Sequence, residues 1–99
     1  MIQFFRTALV QPGKMPDALA HAKAIANHLE SNHGYKVEVS VPFGGKVGRV
    51  QWRTEHQSVA ELEVRLTKMS GDPKMAEFGK KSPELFLPGS VEDSIWRTV

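Results

Sequence analysis

The chain has 99 residues, no cysteine, 40% apolar side chains, and 13 Lys+Arg against 11 Asp+Glu, a net charge of +2. That is enough for one domain. The missing thiols exclude disulfides, thiol catalysis and thiolate metal sites, and so small a charge excess without a basic run argues against a nucleic-acid partner. No stretch approaches the roughly 18 consecutive apolar residues of a membrane span. The first twenty residues lack the charged-then-apolar order of a secretion signal, so a cytoplasmic protein without membrane contact is expected. A chain this short buries only about 60–65% of its unfolded surface, so a further contact surface would add stability.

Ile2–Val10 is rich in Phe and β-branched residues and reads as a strand, closed by the turn pair Pro12-Gly13. A helix follows from about Pro16 to His33. Proline suits its first position, and Asp17 sits where the helix dipole favours an anion. Leu19, Ala22, Ile25, Ala26 and Leu29 form its apolar stripe, and Gly34 is placed to end it. Tyr35, Val37, Val39, Val41 and Phe43 alternate with polar residues, the clearest period-two run in the chain, and predict a second strand. Gly44-Gly45 then makes a hairpin into a third strand, Val47–Thr54.

The segment from Arg49 to Pro73 organises the rest. After the third strand, Ser58 and Glu61 form an S-x-x-E capping box. Val59, Leu62, Leu66 and Met69 continue as one helical stripe, stopped by Gly71 and Pro73. Asp72-Pro73 looks like an N-cap and first-turn pair for a short helical piece to about Gly79, with a further turn at Ser82-Pro83. Val91–Thr98 is the last strand.

The order β-α-β-β-α-β predicts an α+β, ferredoxin-like fold: a four-stranded antiparallel sheet in the order 4-1-3-2, with the helices on one face. Assigning Trp52 to the helix side leaves Ile2, Phe4, Val47, Ile95 and Val99 on the other, among Arg6, Arg49, Arg53 and Arg97. Such a face is too apolar to stay bare, and a homodimer packed sheet to sheet is expected.

Arg6-Thr7, the Pro12-Gly13-Lys14 turn, Trp52 and the Asp72-Pro73 step together resemble the NIPSNAP-type members of the dimeric α/β-barrel superfamily. The resemblance spans nearly the whole chain and implies a homodimer whose two sheets join into a barrel. The superfamily also holds antibiotic-biosynthesis monooxygenases, haem-degrading monooxygenases and stress-responsive barrel proteins, so it leaves function open. Haem-degrading relatives place a Trp near the position of Trp52, but they also need an Asn on the first strand and an axial His on the second helix. Here the first strand carries Arg6 and Thr7, and Ser58 to Lys81 contains no histidine.

The remaining residues give weaker signals. His21, His28, His33 and His56 show no metal-ligand spacing and read as exposed or helix-edge side chains, with His56 in the turn after the third strand. The four arginines could hold an anion bidentately, or pair with Glu38, Glu92 or Asp93 across the interface, which is the commoner fate of such charges. Gly44-Gly45 precedes a strand and is no phosphate loop. Lys46–Trp52 lacks the spaced aromatics of an RNA-binding sheet. The expectation is a homodimeric barrel binding a small organic molecule, anions included, through Phe4, Arg6, Thr7, Trp52 and His56, with Arg6 as anchor. No metal or cofactor is expected, monooxygenase-like chemistry stays open, and the alternative is a non-catalytic dimerisation module with a packed pocket.

Overall fold

The computed structural model describes residues 1–99 as seven elements: β1 (Ile2–Leu9), α1 (Met15–His33), β2 (Glu38–Ser40), β3 (Arg49–His56), α2 (Val59–Ser70), α3 (Pro73–Leu85) and β4 (Glu92–Arg97). The sheet order is β2-β3-β1-β4 with every pairing antiparallel, as the topology predicts.

Local signals set most of the boundaries. Gly34 adopts a left-handed φ of 74° and its N–H returns to the Glu30 carbonyl, ending α1. The Ser58 hydroxyl accepts the Glu61 amide at 3.1 Å. The Glu61 carboxylate reaches back to the Gln57 amide, one residue before the position a reciprocal capping box would use. Asp72 caps α3 by accepting the Lys74 amide at 2.9 Å.

Three expectations change. The second strand is only Glu38–Ser40, because Tyr35 turns inward behind Gly34 and Pro42 cannot donate to a ladder; Phe43 is fully exposed. The third strand lies two residues later than expected, so His56 is its last residue rather than part of a turn. The second helical region is two helices, and the later one runs through Ser82-Pro83 to Leu85. Pro83 falls in the last turn, where it forfeits one hydrogen bond, and the Phe86 amide still closes on the Ser82 carbonyl at 2.8 Å.

Strand register decides which residues share a face. Ile2 lies opposite His56, Phe4 opposite Thr54, Arg6 opposite Trp52 and Ala8 opposite Val50. Ile2, Phe4 and Arg6 therefore lie beneath the helices, contrary to expectation. The open face carries Gln3, Phe5, Thr7 and Leu9 beside Arg49, Gln51, Arg53 and Glu55. The arginines are not gathered: Arg6 and Arg97 share the helix side, and Arg49 and Arg53 the open one. The helix-side core is Ala8, Ala18, Ala22, Val50, Leu85 and Phe86. No helix is long and apolar enough to cross a membrane.

A candidate ligand cavity between sheet and helices

Between the sheet and the pair α2–α3 lies a cavity of about 300 Å³. Phe4, Arg6, Ala8, Trp52, Thr54 and His56 form its floor, contributed by alternate positions of β1 and β3. Leu62, Leu66 and Met69 of α2 and Met75 and Phe78 of α3 form its roof, while Leu29 and Tyr35 close one end. The walls are mainly apolar because the same side chains supply the helical stripes and the inward strand positions.

Four of the five residues expected to bind ligand, Phe4, Arg6, Trp52 and His56, line this space. Thr7 does not. Its register position opposite Gln51 puts it on the open face. Arg6 is not a free anchor either. Its Nε donates to Asp93 Oδ1 at 2.7 Å and its Nη2 to Asp93 Oδ2 at 2.9 Å, an intrachain bidentate pair. The Asp93 hydrogen bond raises the Arg6 pKa further above its ordinary value. Trp52 donates its indole N–H to the Ala22 carbonyl at 3.3 Å and lies against Phe86, so it both packs and lines the cavity.

His56 is almost fully buried, contrary to the expected exposed turn. Arg65 of α2 donates to His56 Nδ1 at 2.9 Å. A guanidinium can only donate, so His56 is neutral at Nδ1 and its Nε2–H donates to Thr54 Oγ1, 2.6 Å away. Burial, and after it the charge of Arg65, lowers the His56 pKa, whereas Glu61 opposes that shift. Arg65 is itself braced by Glu61 at 3.0 Å and lies over the Tyr35 ring. Thr54 accepts from His56, which leaves its own proton available to an acceptor oxygen in the cavity. The buried Tyr35 hydroxyl has no protein partner.

The other histidines are not the expected exposed set. His21 is buried against Phe78 and Phe86 beneath α3. His28 and His33 both meet Asp72. Their hydrogen bonds, that of His33 first, hold the Asp72 carboxyl far below the usual carboxylate range. Tyr35, Thr54 and Arg65 were missed by sequence reasoning. Thr54 was visible as the inward neighbour of Trp52 by strand parity, but Arg65 meets His56 only through the angle at which α2 returns over β3.

No protein-family profile matches the sequence, and no curated protein is similar to it in sequence. Solved structures are similar in fold. A NIPSNAP domain protein from Burkholderia xenovorans superposes with a TM-score of 0.84 at 13% identity, covering 100% of this chain and 95% of that one. A NIPSNAP family protein of unknown function from Agrobacterium tumefaciens gives 0.83 at 19% identity, over 100% and 88% of the two chains. The chain has the NIPSNAP-type, ferredoxin-like fold. A Deinococcus radiodurans protein proposed to be an antibiotic biosynthesis monooxygenase shares that fold at a TM-score of 0.73 and 11% identity, over 100% and 93%. At these identities the likeness is one of architecture and carries no chemistry.

Proposed function

We propose that this protein is a homodimeric barrel that takes a small, largely apolar organic molecule into the cavity beneath α2 and α3, with the Thr54 hydroxyl donating to an oxygen of that molecule. The observation that carries the reading is the cavity: about 300 Å³ walled mainly by apolar side chains, at the lower end of small-molecule sites. A filled space there would instead favour a packed, non-catalytic module. With Arg6 matched by Asp93, a neutral or weakly acidic ligand such as a ketone, phenol or quinone suits the site better than a strong anion. The Thr54–His56 pair is not a nucleophile and its base, since His56 gives its proton to Thr54 rather than taking one. Any monooxygenase-like reaction would draw its reactivity from the bound molecule, with the protein orienting it and excluding water.

Dimerisation rests on the open sheet face and its β4 edge. Trp96 is 64% exposed there in the single chain, and the buried Arg49 Nε has no partner. A second copy clasping this face would cover the indole and complete a barrel. Light scattering should return about twice the 11.0 kDa chain mass. For the ligand, native mass spectrometry for co-purified organics should be joined to Trp52 fluorescence in a Trp96→Phe background, titrated with aromatic ketones, phenols and quinones. Saturable quenching, weakened about tenfold by Thr54→Val, is expected. A dimer with no co-purified molecule and no response to the panel would leave the dimerisation module as the function.

A further inference from the structure

At the end of the cavity, behind Tyr35, three potential ligand groups from two elements converge. His28 and His33 come from the last turns of α1, and Asp72 from the joint between α2 and α3. One ligand atom from each lies within 4.8 Å of the other two. Both imidazole Nε2 atoms stand 2.7 Å from the same carboxylate oxygen, Asp72 Oδ2. The two oxygens of Asp72 have separate tasks. Oδ1 accepts the Lys74 amide and caps α3, and Oδ2 faces the histidines. All three side chains are partly buried, at 15%, 16% and 12% exposure, so the groups are held in place while water still reaches the centre.

We propose that His28, His33 and Asp72 form a site for a borderline divalent cation of the zinc or cobalt(II) class, bound through the two Nε2 atoms and Oδ2, with solvent in the fourth position. Two imidazoles and one carboxylate select such ions over magnesium or calcium, which prefer all-oxygen shells. Around a tetrahedral ion with bonds of roughly 2.0–2.1 Å, neighbouring ligand atoms sit about 3.4 Å apart. The 2.7 Å contacts therefore need to open by about 0.7 Å, within reach of small side-chain rotations.

Ligation asks each imidazole to change tautomer. His28 Nδ1 accepts from the Asn32 amide at 3.0 Å, so its Nε2 carries the proton donated to Asp72. Ligation requires the proton on Nδ1, with Asn32 turning its carbonyl oxygen toward it. His33 must likewise give up the Nε2 proton it donates to Asp72 Oδ2, but no side chain holds its Nδ1. A bound ion would pin the α2–α3 joint to the end of α1, directly behind Tyr35 and Phe78, whose rings neighbour His33 and His28. None of His28, His33 and Asp72 lines the cavity, so this proposal does not rest on an organic ligand there.

The test uses untagged full-length protein stripped with chelator and titrated with zinc by calorimetry and with cobalt(II) by visible absorption. One ion per chain is expected, with cobalt bands of tetrahedral intensity. The melting temperature should rise by about 10 °C or more at a hundredfold excess over Kd. His33→Gln should weaken binding at least a hundredfold at unchanged far-UV dichroism. Asp72→Asn keeps a competent N-cap and should do the same, which covers a failure of the first variant to fold. Absence of saturable binding, or unchanged affinity in either folded variant, would overturn the proposal and leave the trio as a hydrogen-bonded staple.

Discussion

The helix-covered side of the sheet is packed by two opposite rules. Beneath α1, Ala18 and Ala22 are fully buried against Ala8 and Val50, and the small side chains let helix and strand approach without a gap. Beneath α2 and α3 the contacts come from longer side chains, Leu62, Leu66, Met69, Met75 and Phe78, which hold the helices away and enclose the cavity. One half is closed because its residues are small. The other stays open because its residues are large, flexible at Met, and anchored at the margin by the Arg65–His56 hydrogen bond. A fold of this size can thus keep its cohesion in one half while the other holds a void.

That contrast can be broken most severely from the closed side. Ala18→Leu forces three extra heavy atoms where there is no space and should cost about 3 kcal/mol or more in urea denaturation. Leu66→Ala, on the open side, trims a side chain that already borders empty space. It should cost only about 1–2 kcal/mol, below the usual range for a core leucine. A loss as large as that of Ala18→Leu would mean that the cavity is not a void in solution. Ser58→Ala removes the cap that starts α2 and should cost about 1 kcal/mol by the same measurement.

The smallest effect concerns pH and the margin between the halves. His56 and His21 both have lowered pKa values, chiefly through burial, with Arg65 and Lys81 adding to the shift. On acidification the unfolded chain takes up these protons first, near the ordinary histidine pKa of about 6.5. Stability is therefore full above that value and declines as pH falls toward the lowered folded-state values. Denaturation midpoints should be lower at pH 5.5 than at pH 7.5, and His56→Gln should flatten part of that slope. An unchanged slope in this variant would show that His56 is not held neutral by Arg65.

Much of this architecture was legible in the chain. The Gly34 terminus, the Ser58 cap and the Asp72-Pro73 start follow from residues acting on neighbours within one turn, and the sheet order follows from the handedness of crossovers applied to the succession of strands and helices. Phe4, Arg6, Trp52 and His56 were named from sequence and do line one space. The parity of β1 was not legible. Ile2 and Phe4 on one face and Phe5 and Leu9 on the other make both faces apolar, so the periodicity is ambiguous by one residue. The third strand's two-residue offset had the same root, because nothing local distinguishes Val47 from Arg49 as its first paired position.

The sequence by itself determined the order of the strands and the ends marked by Gly34, Ser58 and Asp72, since caps, turn glycines and apolar periods act over a few covalent bonds, but not the extents of the second and third strands. Tertiary structure alone decided that Arg6 faces Trp52 and is matched by Asp93, that Arg65 fixes the tautomer of His56, and that His28 and His33 share one oxygen of Asp72. Those pairings depend on strand register and on the angles at which separate elements pack. Both are set by the summed burial of many side chains rather than by any residue's neighbours in the chain.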